Sequence, residues 1–217
     1  MLEGSNVILE ACAGSLQQAM SAQDLGADRV EICTRLDLDG LTPDRRMVKA
    51  TIKKLKIPSK IMIRPRDGGF VYSDAEIKQM ESSMDFCRSI GIEEVVLGAL
   101  TNDGEVDINT TSRLSDLANP LKVTFHKAID HSNDILKGIE CLCHMGGVTS
   151  ILTSGGKRSA MEGRSMIKQI IREFSSELNI IVAGKITKEN LSRVHEEIGA
   201  KEYHGKRIVG DLTKLNR

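Results

Sequence analysis

Short apolar runs alternate with longer segments of helical periodicity, and this alternation constrains the fold more than any other feature of the chain. Most of the runs lack polar alternation, which is typical of parallel strands covered by helices. The pattern therefore predicts an α/β fold. Eight runs are predicted to form strands: Val7–Glu10, Arg29–Ile32, Lys60–Arg64, Glu94–Leu97, Lys122–His126, Thr149–Thr153, Asn179–Ala183 and Lys201–His204.

Residues at the predicted helix ends support this division. Thr42 and Pro43 place a proline at the first position of a predicted helix, where its missing N–H is tolerated. Three other starts fit a capping box, in which Ser is followed three residues later by Glu or Gln: Ser15 with Gln18, Ser73 with Glu76, and Ser159 with Glu162. Glycines suited to the left-handed position that ends a helix precede every second strand: Gly26, Gly91, Gly146 and Gly199.

The elements form four βαβα units, each of about 55 residues, which predicts a (β/α)₈ TIM barrel occupying residues 1–217 as a single domain. An open doubly wound sheet is the alternative, but no G-x-G-x-x-G motif follows the first strand. The chain ends 13 residues after His204, so we expect the final helix to be short or missing. A homo-oligomer would then cover the last strand.

Composition disfavours several partners. Thirty basic and thirty acidic residues cancel, so no long-range field attracts the chain to nucleic acid or an anionic membrane. Aromatic residues make up only 3%, which leaves few platforms for base stacking. The longest apolar runs, such as Ile180–Ala183, are far shorter than the roughly 18 residues of a membrane span. We therefore expect neither nucleic acid nor membrane as a partner.

The N-terminus and the cysteines predict a cytoplasmic location. Residues 1–6 lack the basic and apolar regions of a signal peptide. Five scattered cysteines do not resemble the dense, even framework of a small secreted domain, and we expect them to be reduced thiols.

Polar side chains cluster at the C-terminal ends of the predicted strands, where TIM barrels carry their active sites. Arginine pairs with small anions, and carboxylates and histidines serve as general acids and bases. The alternative is a structural ion network in which the glutamates neutralise the arginines. The candidate catalytic residues are Glu10, Glu31, Arg64, Arg66, His126 and His204.

A weaker anion site is predicted after the sixth and seventh strands. Backbone N–H groups approach an anion where side chains are absent, although glycine pairs are also typical of turns that enter a helix. Its residues are Thr153, Ser154, Gly155, Gly156 and Gly184.

Two cysteines, Cys12 and Cys33, lie near the ends of neighbouring predicted strands. Two thiolates can hold Cu(I) or contribute to a zinc site. The alternative is that both are small buried apolar side chains, which is a common role of free cysteine.

Nine sequence blocks, distributed from the first to the last strand, resemble the copper homeostasis CutC family. The resemblance implies a (β/α)₈ barrel and cytoplasmic copper handling, with Cu(I) bound by Cys12 and Cys33. The polar barrel mouth suggests an alternative, a lyase or isomerase acting on a small anionic substrate. The blocks are Glu10–Cys12, Gly26–Cys33, Gly40–Pro43, Met62–Arg66, Tyr72–Asp74, Leu97–Thr101, Val123–His126, Ile151–Gly156 and His204–Gly205.

The chain departs from the family pattern after two strands. Gly184 is followed by Lys185 and Ile186 where relatives often have a glycine triplet. This either weakens the anion site or substitutes a lysine charge for backbone amides. His126 is followed by Lys127, where His-Arg is more familiar.

Overall fold

Eight parallel strands form a closed barrel in the computed structural model, which describes residues 7–213. Each strand pairs with the next along the chain, and β1 pairs with β8 to close the sheet. The predicted TIM barrel is therefore confirmed. Residues 1–6, on which the prediction of no signal peptide rests, lie outside the described residues.

Helices connect the strands in regular order. The strands are β1 Ile8–Ala13, β2 Arg29–Ile32, β3 Ser59–Met62, β4 Glu94–Leu97, β5 Lys122–Phe125, β6 Ser150–Thr153, β7 Asn179–Val182 and β8 Glu202–Gly205. The α-helices are α1 Leu16–Asp24, α2 Arg45–Lys54, α3 Asp74–Ser89, α4 Ile108–Ala118, α5 Ile135–Met145, α6 Ala160–Phe174 and α7 Leu191–Ile198. Short 3₁₀ helices follow β2 and β5, at Leu36–Leu38 and Lys127–His131.

Two strand ends differ from the predictions in a way that matters for the site. Strand β1 continues to Ala13 because its pairing with β2 extends that far, so Cys12 lies inside the strand rather than beyond it. Strand β3 ends at Met62, two residues earlier than predicted. Arg64 and Arg66 therefore belong to the loop that follows β3.

The helix ends largely follow their sequence signals. Ser73 and Glu76 form a complete capping box at the start of α3. The prediction for Pro43 is wrong, because Asp44 caps α2 by accepting the N–H groups of Arg46 and Met47, and the helix begins after it. The four glycines before even-numbered strands all have positive φ, and Gly199 ends α7 in the predicted left-handed conformation, whereas Gly146 at the end of α5 has ψ −178° and differs from it; the other two are Gly26 and Gly91.

The barrel interior is polar, whereas the layer between strands and helices is apolar. Outward-facing residues such as Val30 and Ile61 pack in the main hydrophobic core. Because side chains alternate along a strand, the intervening residues face the barrel axis. Several of these are charged or polar and nevertheless buried, in place of the branched apolar residues usual in such barrels: Glu10, Glu31, Lys60, Thr124, Ser150 and Glu202.

The segment after β8 contains turns and no α-helix over residues 206–213, which agrees with the expected short or missing final helix within the described chain. Ile208, Val209 and Leu212 in this segment are buried in the main core. These side chains bury apolar surface within the chain itself, and the homo-oligomer stays a prediction. Among residues 7–213, no helix has both the length and the apolar character needed to cross a bilayer.

Candidate functional site

Alternation along β1 and β2 brings two cysteines and two glutamates together inside the barrel. Cys12 follows Glu10 by two residues on one face of β1, and Cys33 follows Glu31 by two, one residue beyond the end of β2. Cys12 is paired in register with Glu31 across the two strands. Cys12 and Glu31 therefore lie at the same level of the barrel, with Glu10 one layer nearer its N-terminal end and Cys33 one layer nearer its C-terminal end.

The two sulfur atoms are in contact. Cys12 Sγ lies 3.3 Å from Cys33 Sγ and 3.4 Å from Oε1 of Glu31. Both cysteines are buried and unoxidised. Met62 belongs to the same small apolar cluster, which adds a thioether sulfur to the pair of thiols.

The surroundings of Cys12 favour the protonated thiol. Its hydrogen bond with Cys33 and its burial raise the pKa of Cys12 well above the usual value. Its S–H donates to the carboxylate of Glu31. A metal that takes the thiolate must therefore displace this proton, for which Glu31 is the nearest acceptor.

Beneath the sulfurs, Glu10 is the centre of a buried ion network. It contacts the guanidinium of Arg29, Nζ of Lys60 at 3.2 Å and Nδ1 of His204 at 2.8 Å. Lys60 also lies 2.7 Å from a carboxylate oxygen of Glu94. A structural network was one of the two alternatives, but Glu10 neutralises Arg29 and Lys60 rather than Arg64 and Arg66.

The network determines the charges of its members. Burial alone would raise the pKa of Glu10, but Lys60, His204 and Arg29 together hold it well below the usual value. Burial likewise opposes charge on His204, yet the neighbouring Glu31, Cys12 and Glu10 raise its pKa well above the usual value. The pKa of Glu31 is raised, mainly by burial. We therefore assign a negative charge to Glu10 and a positive charge to His204.

A cavity of ≈ 1120 Å³ opens above these groups at the C-terminal end of the barrel. Five of the predicted site residues line it: Cys12, Glu31, Arg64, His126 and His204. Gly184 of the predicted anion site lines it as well. The structure thus brings most of the predicted catalytic residues and one of the two predicted metal ligands to a common cavity.

His126 presents a nitrogen without a protein partner. Its Nδ1 accepts the N–H of Ala128 at 3.1 Å, so Nε2 carries a hydrogen. The side chain is buried, and among residues 7–213 no group hydrogen-bonds to Nε2. Burial, followed by the charge of Arg64, lowers the pKa of His126 to about 3. The ring is therefore a neutral donor at the cavity wall.

Arg64 is held against the cavity wall by the loop backbone. Its guanidinium donates to the carbonyl oxygens of Leu38, Gly40 and Gly68. It also lies over the ring of Phe70, which packs against His126 with ring centroids 5.1 Å apart. Arg64 therefore contributes a fixed positive charge beside His126.

The structure contradicts the placement of Arg66 in the mouth. Its guanidinium contacts the carboxylate of Glu76 at the start of α3 and donates to the carbonyls of Gly69 and Val71. It does not line the cavity. Alternation predicts side-chain direction only within a strand, and Arg66 lies four residues beyond the end of β3.

The donor groups of Thr153–Gly156 in the predicted anion site, here called the cradle, are occupied by a carboxylate of the chain itself. Asp130 accepts hydrogen bonds from the backbone N–H of Ser154 at 2.9 Å and of Gly156 at 2.9 Å, and from the hydroxyl groups of Thr153 and Ser154. Gly155 donates its N–H to the hydroxyl of Thr153. The prediction of an open anion site over Thr153–Gly156 is therefore wrong.

Gly184 has a packing role that explains its residue type. A Cβ at this position would lie 2.8 Å from Cβ of Ser154 and 2.9 Å from the backbone nitrogen of Ala160. The glycine thus allows the loop after β7 to approach the start of α6, where its carbonyl accepts the N–H of Ala160.

Several residues important to the site were missed in the sequence. Lys60 and Met62 precede Arg64 at steps of two, so alternation along β3 could have placed them in the interior. Asp130 lies in the 3₁₀ helix after β5, and its role follows from tertiary contacts alone.

Comparison with known proteins identifies the family. The sequence model that describes the CutC family matches residues 7–209 of this chain. The chain belongs to the CutC family. A human relative named copper homeostasis protein cutC homolog is 38% identical over 91% of this chain and 72% of its own length. A CutC family protein from Parabacteroides distasonis is 36% identical over 91% of this chain and 81% of its own length.

Solved structures agree with the family assignment. A CutC crystal structure from Streptococcus agalactiae superposes with a TM-score of 0.88 at 31% identity, covering 93% of this chain and 99% of that one. A phosphonomutase-like protein from Burkholderia cenocepacia superposes at 0.65 with 13% identity, over 92% of this chain and 87% of that one. At that identity the likeness concerns the barrel fold alone.

Proposed function

We propose that this CutC-family protein binds Cu(I) for cytoplasmic copper handling, with Cys12 and Cys33 as ligands. The supporting observation is the 3.3 Å distance between the two Sγ atoms. Soft thiolates prefer soft Cu(I) over Mg²⁺ or Ca²⁺. The names of the human and streptococcal relatives are consistent with a role in copper homeostasis.

The two sulfurs lie closer together than a bound metal would hold them. With metal–sulfur bonds of about 2.3 Å, two sulfurs lie about 4.6 Å apart in a linear site and about 4 Å apart in a trigonal one. Both distances exceed the observed 3.3 Å, so the sulfurs must separate when a metal binds. Met62, in the same buried cluster, supplies a third sulfur, whereas the Glu31 oxygen is a harder ligand.

Competition with a Cu(I) chelator under reducing, anaerobic conditions tests this proposal. We expect one Cu(I) per chain, loss of binding in Cys12→Ser and Cys33→Ser, and weaker binding in Met62→Leu. Cys87→Ser is the matched control, since Cys87 is equally buried but packs in the main core. Unchanged Cu(I) affinity in both single variants of the pair would refute the proposal.

A second candidate function is supported by a different observation. Oε2 of Glu31 and Nε2 of His126 are both buried, line the cavity and have no hydrogen-bond partner among residues 7–213. A carboxyl group and a neutral imidazole facing one cavity can move protons on a bound molecule. This supports a lyase or isomerase acting on a small anionic substrate.

Proton exchange provides the test of this enzyme. Small anionic metabolites incubated with the protein in D₂O would lose C–H signals in proton NMR spectra, and the exchange would cease in Glu31→Gln. Glu81→Gln, on the outside of the barrel in helix α3, is the control. Equal exchange with and without protein across the metabolites would count against an enzyme.

A further inference from the structure

The cavity at the barrel mouth carries an excess of positive charge, although the whole chain is neutral. Four carboxylate side chains line it, against six lysines and arginines. One carboxylate, Asp37, is paired with Arg35 at 2.8 Å, and one cation, Arg207, lies 3.9 Å from Glu189. The six cationic residues are Arg64, Lys127, Arg158, Lys185, Lys206 and Arg207. A cavity lined by charges of one sign raises the local concentration of ligands that carry the opposite charge.

A buried donor stands within this positive wall. Nε2 of His126 bears a hydrogen in both the neutral and the protonated ring, because Nδ1 of the neutral ring accepts from Ala128. Gly98 leaves the space that the ring occupies, since a Cβ there would lie 2.5 Å from Nδ1. An unpaired buried donor is costly, and a ligand oxygen would satisfy it.

Lys185 adds a further positive charge to the cavity wall. It has φ +55° in the left-handed region, where residues other than glycine are uncommon. Asn190 holds this conformation by donating to the Lys185 carbonyl at 2.9 Å and accepting the N–H of Thr187 at 2.9 Å. The loop therefore keeps a charged side chain at the cavity where glycine would fit the backbone better.

The occupied cradle discriminates between kinds of anion. Phosphate esters are commonly bound by successive backbone N–H groups. Here the amides of Ser154 and Gly156 are already bonded to Asp130. The cavity instead offers side-chain cations and the unpaired imidazole N–H of His126, which suit a carboxylate.

We propose that the barrel mouth binds a small carboxylate metabolite, one oxygen of which accepts the Nε2–H of His126 while Lys185 and Arg64 balance its charge. The site shares its cavity with Cys12 and Met62, whereas Cys33 does not line the cavity. Binding at this site requires neither Cu(I) nor catalysis. The proposal also gives the second candidate function, a lyase or isomerase, its substrate class: a small carboxylate.

Isothermal titration calorimetry on the reduced, metal-free chain tests the proposal, with succinate, malate and inorganic phosphate as titrants. We expect at least one dicarboxylate to bind more tightly than phosphate. Loss of a charge-assisted hydrogen bond predicts about ten-fold weaker binding in Lys185→Gln and His126→Ala. His126→Gln, which keeps an N–H donor, should recover part of the affinity.

Two controls make the outcome decisive. Lys168→Gln removes one exposed lysine from α6, away from the cavity, and should leave binding unchanged. Cys33→Ser should bind the dicarboxylate normally while losing Cu(I), so that the two proposals fail separately. Absence of binding by both dicarboxylates, tighter binding of phosphate, or equal losses in Lys168→Gln and Lys185→Gln would each overturn the proposal.

Discussion

Oε1 of Glu10 lies 2.8 Å from Nδ1 of His204, and this contact joins the charged interior of the barrel to its polar mouth. Glu10 also balances Arg29 and Lys60 in the interior, while His204 lines the cavity and lies near Glu31. The charges inside the barrel thus support the position and protonation of the groups at the site.

Glu10→Gln should strongly destabilise the fold. The substitution leaves the buried charge of Lys60 with fewer partners, and breaking a buried ion pair from one side typically costs about 3–5 kcal/mol. Urea denaturation measures the free energy of unfolding. The control is Asp37→Asn, which breaks an exposed pair worth about 1 kcal/mol or less. Similar losses in the two variants would show that the interior network contributes little.

His126 should make stability depend on pH on the acidic side. Its pKa is lowered to about 3 in the folded protein, from 6.5, by burial and by the charges of Arg64 and His131. Between these two values the unfolded chain binds a proton that the folded chain does not. The free energy of unfolding that depends on the neutral His126 ring is therefore fully present above pH 6.5. It falls as pH falls towards 3, by up to about 1.4 kcal/mol per pH unit.

Urea titrations of the wild type and His126→Gln across this range isolate the effect. The difference in unfolding free energy between the two proteins should change with pH below 6.5, with the variant less sensitive to acid. His144→Gln is the control, because His144 lies exposed near the end of α5. A pH-independent difference between the wild type and His126→Gln would contradict the assigned neutral ring.

Alternation and helix-end signals were sufficient to predict the barrel from the sequence. They also placed Cys12, Glu31 and His126 at one end of it, because the C-terminal ends of the strands meet at one end of such a barrel. Arg66 was misplaced because it lies in a loop, where that rule does not apply. The cradle was misjudged because Asp130, 23 residues before Thr153, occupies it through a tertiary contact.

Sequence patterns also failed to predict the ion network in the barrel interior. Lys60 was read as the start of an apolar strand, yet it is buried against Glu10, Glu94 and Thr124. Each of these partners belongs to a different strand, and their convergence depends on the closure of the barrel. Strand assignment alone does not specify which interior charges meet.

Mild oxidation should link Cys12 and Cys33. Their sulfurs are 3.3 Å apart on adjacent strands, and a disulfide needs an approach to about 2.05 Å. We expect diamide to form this bond slowly, because both thiols are buried and the raised pKa of Cys12 leaves little thiolate. Peptide mapping by mass spectrometry under non-reducing conditions identifies the linkage.

Cu(I) binding provides the control for that oxidation. The oxidised protein should no longer take up Cu(I), and dithiothreitol should restore uptake. Cys12→Ser should show no linkage to Cys33 under the same treatment. Full Cu(I) uptake by protein with a mapped disulfide between Cys12 and Cys33 would exclude these thiols as the ligands.

Asp130→Ala should destabilise the protein and create an anion site. The change leaves the N–H groups of Ser154 and Gly156 without their acceptor, and the loss at Ser154, which is buried, costs about 1–3 kcal/mol. Phosphate or sulfate can then occupy the emptied cradle, since it binds the native state alone and so stabilises it. Thermal unfolding with and without sodium phosphate at constant ionic strength measures both effects.

Asp134→Ala is the matched control, because Asp134 only caps helix α5 by accepting the N–H of Lys137. Its loss should cost about 1 kcal/mol and should not be relieved by phosphate. We expect phosphate to raise the melting temperature of Asp130→Ala more than that of the wild type or of Asp134→Ala. Equal phosphate-induced shifts in melting temperature in all three proteins would contradict the prediction of a new anion site. The loop after β6 would then lose its shape without Asp130, and the carboxylate would organise the cradle as well as occupy it.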